Sequence, residues 1–281
     1  MKIHILSCIW RRPQVTELFL AGIRRLQIDF DVSGTLVVST KEDMALVTSL
    51  LPPNFEVISY PNNPLSNKFN QGLFHAMKSN WDGLLIMGSD DLLSNEGLGL
   101  LIGSNKPYVG FGDIHFFSTE TREWRYFNHD STRLIGAGRL IRREVLNLLC
   151  NRVTCYFRKD RDIAGVTYKA REPFETTFDV AKYYEGMDYV RDISRPRNKG
   201  LWENGLERGL DNSSELHLVM LGFAPYKIKS ERVHLIDIKT NQNVTNWNRF
   251  MDCREGYEPT WFMNDEEINL LSHIKFEQDE A

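Results

Sequence analysis

With 281 residues, 42% hydrophobic and 26% charged, the chain is long enough to bury a sizeable core, as one large domain or two small ones. A net charge of -4 excludes a nucleic-acid binder that works through a basic surface, so a phosphate would need locally concentrated positive charge or a metal ion. No apolar run approaches the ~18 residues of a membrane span, and the opening "MKIHILSCIWRRPQ" is too short and too polar for a signal peptide.

In chain order, "KIHILSCIW" reads as a first strand. Arg12-Pro13 then opens a helix through "VTELFLAGIRRLQ", with Leu18, Leu20, Ile23 and Leu26 as its apolar stripe. "GTLVVST", "FEVISYP" and "DGLLIMGS" read as further strands, separated by helices over "KEDMALVTSLL" and "LSNKFNQGLFHAMKSN". This alternation predicts right-handed βαβ units and a mostly parallel twisted sheet flanked by helices. The continuous apolar run Leu84 to Met87 suits a strand buried on both faces. After Asp91 the rhythm loosens. "KPYVGFGDIHFFS" and "EWRYFNHD" predict an antiparallel, aromatic-rich excursion, and "GAGRLIRREVLNLLC" a glycine-led turn into a helix. Residues 151–210 carry many charges and little periodicity. "SSELHLVMLGF" is a helix closed by Gly222, followed by strand-like "APYKIKS" and "RVHLIDIK". The organisation expected is an α/β half over 1–104 fused to a smaller antiparallel and irregular half over 105–281.

Cys8, Cys150, Cys155 and Cys253 show no zinc-type spacing and read as reduced thiols of a cytoplasmic protein. On that reading the sequons at Asn212 and Asn243 are chance matches.

The sharpest feature is "GSDD", Gly88 to Asp91, where a buried strand ends in two adjacent carboxylates. Side by side they repel, and burial without a partner is costly. Either one of them caps the helix predicted over "LLSNEGLGLLIG", or the pair expects a cation. Carboxylates at the carboxyl end of a parallel strand sit where open α/β sheets bind ligands, and hard ions such as Mg²⁺ or Mn²⁺ prefer them.

The features "SCIWRRP", "NKFNQGLFHAM" and "LLIMGSDDLL" resemble the inverting glycosyltransferases of GT-A fold, of the large family-two type. The resemblance implies a nucleotide-sugar donor, UDP- or GDP-linked, a divalent metal, and a carbohydrate or other hydroxyl acceptor. It makes Asp91 the main metal ligand and Asp90 a ribose or second metal contact, although Ser89 stands where the family's acidic motif has its first acid. By position in that fold, Ser7, Arg11, Arg12 and Asn70 become donor contacts. In the second half, "GLDNSSELHLVMLGF" resembles the family's catalytic-Asp helix, which ends at a glycine, with Leu210 in place of the usual preceding Glu. This makes Asp211 the base that takes the acceptor's proton, with Glu215 in reserve. Asp211 reads equally as the cap of its own helix.

The basic stretch with Arg191, Arg195, Arg197 and Lys199 reads as a solvated loop or as a lid over the pyrophosphate. Trp202 at its end either stacks on an acceptor or anchors the loop. His234 is a structural histidine or a late metal ligand. Asp237 and Lys239 share a strand face that His234 does not. A sugar nucleotidyltransferase or a dinucleotide dehydrogenase is disfavoured, because the turn after the first strand lacks glycine. The different-class alternative is a non-catalytic nucleotide- or carbohydrate-binding protein on a degenerate transferase scaffold.

Overall fold

The computed structural model describes residues 1–129, 133–150, 152–163, 166–172, 174–177, 189–191, 200–240, 247–250, 252–258 and 260–274. The chain opens with β1 (Ile3–Cys8), α1 (Pro13–Asp29), β2 (Val32–Val38), α2 (Lys41–Ser49), β3 (Phe55–Ser59), α3 (Leu65–Ala76) and β4 (Gly83–Ile86). Every residue of β1, β2 and β4 is buried, which explains why these strands read as apolar runs. Their alternate side chains serve two separate cores. Ile3, Ile5 and Leu85 pack with Phe19, Ile23 and Leu98, whereas Leu6, Leu84 and Ile86 pack with Leu73, Ala76 and Val145. Helix α1 is buried on nearly all sides, so its apolar residues form no clean stripe.

Next come β5 (Asp91–Leu93), α4 (Asn95–Gly103), β6 (Tyr108–Phe111), β7 (Asp113–Ser118), β8 (Trp124–Asn128), β9 (Arg139–Arg142) and α5 (Arg143–Cys150). The stretch expected to turn straight into a helix therefore makes a strand first. Gly138, at φ +65°, turns the chain, and β9 is then claimed by hydrogen bonding to β4 on one side and β6 on the other. Beyond α5 lie the short strands β10 (Arg152–Phe157), β11 (Arg161–Ile163), β12 (Val166–Tyr168), β13 (Phe174–Thr177) and β14 (Tyr189–Arg191). They form two small antiparallel sheets in a region whose sequence showed little periodicity. Helix α6 (Leu210–Met220), β15 (Tyr226–Ile228), β16 (Leu235–Lys239), β17 (Arg254–Glu255) and α7 (Asp265–His273) complete the chain.

The main sheet has seven strands in the order β15-β6-β9-β4-β1-β2-β3, mostly parallel, with β9 reversed. A mixed five-stranded sheet, β17-β8-β7-β16-β5, lies beside it. Both sheets take strands from either side of residue 104. The order of the parallel strands reverses between β1 and β4, and at such a switch point a crevice opens at the carboxyl ends of the strands. No helix among the described residues is long and apolar enough to cross a membrane.

Candidate active site

The switch point brings the loop after β1 against the loop after β4. Arg12, at the cap position of α1, reaches across it. Its Nη1 donates to Asp90 Oδ2 at 2.7 Å and its Nη2 to Ser89 Oγ at 2.9 Å. Helix α4 does not use the carboxylates as its cap. Ser94 does that, its Oγ accepting from the Gly97 N–H at 2.9 Å. Asp91 instead begins β5, directly opposite Asp237 of β16. Its Oδ2 accepts the Gly88 N–H. Gly88 leaves room for this fold-back, since a Cβ there would stand 2.6 Å from Asp90 Oδ1 and 2.8 Å from Asp91 Oδ2.

One oxygen from each of Asp90, Asp91 and Asp237 lies within 4.8 Å of the others. Two cations hold part of this charge in place. Arg12 pairs with Asp90, and Lys239 Nζ pairs with Asp237 on the same face of β16. Burial alone would raise Asp90, but Arg12 and Lys239 together hold its carboxyl below the usual range. Burial, with Asp90 and Asp237 nearby, pushes Asp91 well above it. Burial also pushes Asp237 up, to about 6, against the pull of Lys239. Asp91 is thus the carboxylate with no cation of its own, and the buried Asp237 Oδ1 has no hydrogen-bond partner among the described residues. Clustered carboxylate oxygens with an orphaned acceptor among them fit a hard divalent cation such as Mg²⁺ or Mn²⁺.

Asp90, Asp91, Asp237 and Lys239 line a cleft of about 530 Å³ that is also lined by Asp211 and Glu215. Helix α6 is capped by Gly209, at φ +70°, so the carboxylate of Asp211 is not spent on capping. It rests over Gly136, where a Cβ would come within 2.4 Å of its Oδ2. Arg139, almost fully buried on β9, organises this end. Its Nη1 donates to the Asp211 carbonyl at 3.0 Å and to Ser214 Oγ at 3.3 Å, while Nε and Nη2 donate to the Ile135 and Leu134 carbonyls. Glu215 lies 3.6 Å from the same guanidinium, leaving Asp211 as the less engaged acid.

Other residues singled out from sequence fall elsewhere. His234 is not among the clustered carboxylates. Its Nδ1 is hydrogen-bonded to Ser94 Oγ at 2.8 Å and its Nε2 to Ser230 Oγ at 2.7 Å, so neither nitrogen is open to a metal. Asn70 is buried as a clamp rather than exposed to a donor, its Nδ2 donating to the Trp202 carbonyl and to Asn204 Oδ1 and its Oδ1 accepting the Trp202 N–H. Trp202 is buried beside Phe69 at 5.0 Å between ring centroids, and thereby anchors its loop at the cleft wall. Ser7 is buried inside β1, its hydroxyl without a partner among the described residues. Arg11 is exposed over the Trp10 ring. Arg195, Arg197 and Lys199 lie outside the described residues, and Arg191 ends β14. Cys8 and Cys253 are free thiols.

Sequence reasoning did not place Asp237 in the carboxylate cluster, and passed over Gly136 and Arg139 altogether. Only the two-residue spacing of Asp237 and Lys239 hinted at the first, and nothing local pointed to the other two.

No protein-family model matches the chain, and no curated protein matches it. Among solved structures it is similar to S. aureus TarS 1-349, at 14% identity and TM-score 0.39 over 52% of this chain and 48% of that one. It is also similar to the mannosyltransferase PcManGT from Pyrobaculum calidifontis in complex with GDP-Man and Mn²⁺, at 12% identity and TM-score 0.47 over 85% and 56%. A third similar structure is 4-diphosphocytidyl-2C-methyl-D-erythritol synthase, at 15% identity and TM-score 0.36 over 52% and 77%. The match spans about half the length of the first two. At these scores the likeness carries nothing about chemistry or substrate.

Proposed function

We infer that the chain is a metal-assisted transferase using a nucleotide-activated donor, and that it passes a sugar with inversion from a UDP- or GDP-linked donor to an acceptor hydroxyl. The observation that carries this reading is one cleft lined both by a carboxylate seat for a hard cation and by Asp211, an exposed carboxylate spared from capping. A helix cap alone would account for neither.

Asp91 and Asp237 would hold the ion, with Asp90 beside them. When bound, Mg²⁺ or Mn²⁺ supplies positive charge for the departing diphosphate. Arg12 and Lys239 keep Asp90 and Asp237 oriented and charged in a buried setting. Asp211 takes the proton from the acceptor hydroxyl as that oxygen attacks the anomeric carbon. Arg139 fixes the first turn of α6, and so the height of Asp211 over Gly136, by binding the Asp211 carbonyl and Ser214. With Glu215 beside Arg139, Asp211 is the less engaged of the two acids on α6 and the better placed to act as the base of a direct displacement.

Release of nucleoside diphosphate from a panel of UDP- and GDP-sugars tests this. Asp211→Asn should bind the active donor as the parent does and lose transfer. Unchanged turnover in that variant would remove Asp211 as the base.

A further inference from the structure

We propose that Asn70 is a positioning residue: through the segment 201–206 it sets where Asp211 stands against the carboxylate seat, a role that rests on the transferase reading above. That segment, LWENGL, forms neither helix nor strand, so its backbone N–H and C=O groups have no ladder of their own and must be met from outside. One face of α3 meets them. Asn70 Nδ2 donates to the Trp202 carbonyl at 2.8 Å, and Asn70 Oδ1 accepts the Trp202 N–H at 3.2 Å. Asn67 Oδ1 accepts the Gly205 N–H at 3.1 Å, and Ser66 Oγ accepts the Leu206 N–H at 2.9 Å. The Leu206 carbonyl in turn accepts the Ser66 N–H at 2.9 Å. Ser66 and Asn67 stand four and three residues before Asn70, which puts all three side chains on the same side of the helix.

The clamp is closely built. Asn70 is buried, and a Cβ on Gly200 would stand 1.8 Å from its Oδ1, so the segment enters at a position where no larger residue fits. The Phe69 ring lies 5.0 Å from that of Trp202, and Leu201 and Trp202 join the core that Leu6, Leu84 and Ile86 share with Leu73 and Ala76 of α3. Helix α3 is itself seated on β1, since a Cβ on Gly72 would come within 2.5 Å of Leu6 Cδ1. The segment is also tied to α6. The Glu203 N–H donates to Ser213 Oγ at 2.9 Å, and His217 Nδ1 donates to the Leu201 carbonyl at 2.9 Å. Asp211 is the fifth residue after Leu206, and Glu207, Arg208 and Gly209 between them line the cleft.

The first turn of α6 is therefore held from two directions. Arg139 of β9 binds it from the sheet, and Asn70 of α3 holds it through 201–206. Strand β9 pairs with β4, which leads into the carboxylate seat, and α3 packs on β1, the neighbour of β4 on its other side. Both holdfasts refer Asp211 to the strands that carry Asp90 and Asp91. A base must stand within hydrogen-bond reach of the acceptor hydroxyl, and a shift of ~1 Å can cost ~10²-fold in rate. Without the Asn70 amide, the buried Trp202 N–H and carbonyl lose their partner. The segment recovers those bonds only by moving, and the Asp211 turn moves with it.

The test compares Asn70→Ala and Gly200→Ala with the parent, by native-state hydrogen exchange and by transfer kinetics counted per Mn²⁺-binding site. The amides of Ser213 to Glu215 close the first turn of α6. In both variants they should exchange at least ~10-fold faster while the amides of α1 keep their protection. Turnover, kcat, should fall by ~10- to 100-fold, with the donor's KM and the Mn²⁺ affinity within a factor of ~2. Faster exchange confined to 201–206, an equal loss of protection in α1, an unchanged kcat, or a loss expressed in the donor's KM would each overturn the proposal. A parent that transfers no sugar from any donor would count instead against the transferase reading, and exchange at Ser213 to Glu215 would still decide whether Asn70 holds the Asp211 turn.

Discussion

Asp91 and Asp237 stand opposite each other on neighbouring strands, a placement in which like charges ordinarily cost stability. Lys239 and Arg12 relieve Asp237 and Asp90, leaving Asp91 to be balanced by a proton or a metal. Asp91→Asn and Asp237→Asn should therefore each weaken Mn²⁺ binding at least ~10-fold, as read by electron paramagnetic resonance of the free ion. His234→Gln should leave that affinity within a factor of ~2, because both ring nitrogens are already committed to serine hydroxyls; a loss comparable to that of Asp91→Asn would restore His234 as a ligand. Gly136→Ala tests the other end of the cleft. Its methyl would displace the Asp211 carboxylate, so transfer should fall by ~10²-fold with Mn²⁺ binding unchanged. Of these residues, Asp91 and Asp211, which line one cleft, stood out in the sequence because each announces itself locally, as an acid at a strand tip or at a helix start. Asp237 did not, since its role depends on pairing with a strand far away in the chain. The capping alternatives left open for Asp90, Asp91 and Asp211 are closed by the structure for a related reason: Ser94 and Gly209 take the caps, which only the observed helix starts reveal.

At the level of elements, helices α1 and α7 are tied by one buried ion pair. Arg25 Nε donates to Glu267 Oε2 at 2.7 Å, and another of its nitrogens donates to the Leu93 carbonyl at the end of β5. Glu267 also closes the capping box of α7 with Asn264. Glu267→Ala should cost ~3–5 kcal/mol in urea unfolding, because it strands a buried guanidinium and opens the cap together. A cost below ~1 kcal/mol would show that the pair is dispensable. The elements themselves were read well where both faces of a strand are buried, as in β1, β2 and β4, or where a helix has a defined start and stop. They were read poorly where length or local preference misled. Strand β5 is too short to show a period, and β9 carries a helix-like sequence that is overruled by two flanking strands. The strands between 152 and 191 pair within small sheets of their own, a long-range property that charge and turn content obscured.

For the whole molecule, the halves drawn from sequence at residue 104 interleave in both larger sheets, and this interleaving is what brings β4, β5 and β16 to one place. Two histidines are also deeply buried in the fold. His4 and His115 are each lowered by burial to about 4, and neither nitrogen of His115 has a partner among the described residues. Their folded values lie below the unfolded value near 6.5, so the unfolded chain binds more protons between roughly pH 4 and 6.5. Stability should be fully present above that window and fall as pH drops through it, by up to ~3 kcal/mol for each histidine. His115→Phe fits the same aromatic surroundings and should remove about half of that acid loss in urea midpoints taken at pH 7 and pH 4.5; an unchanged pH dependence would show that His115 is not the source. The central claim, a cation seat that serves a nucleotide donor, is tested most directly by thermal unfolding with UDP or GDP, with and without Mn²⁺, on the parent and on Asp91→Asn. The expected result is stabilisation by a nucleoside diphosphate only when Mn²⁺ is present, and its loss in the variant. Indifference to both nucleotides, or equal stabilisation in Asp91→Asn, would contradict it.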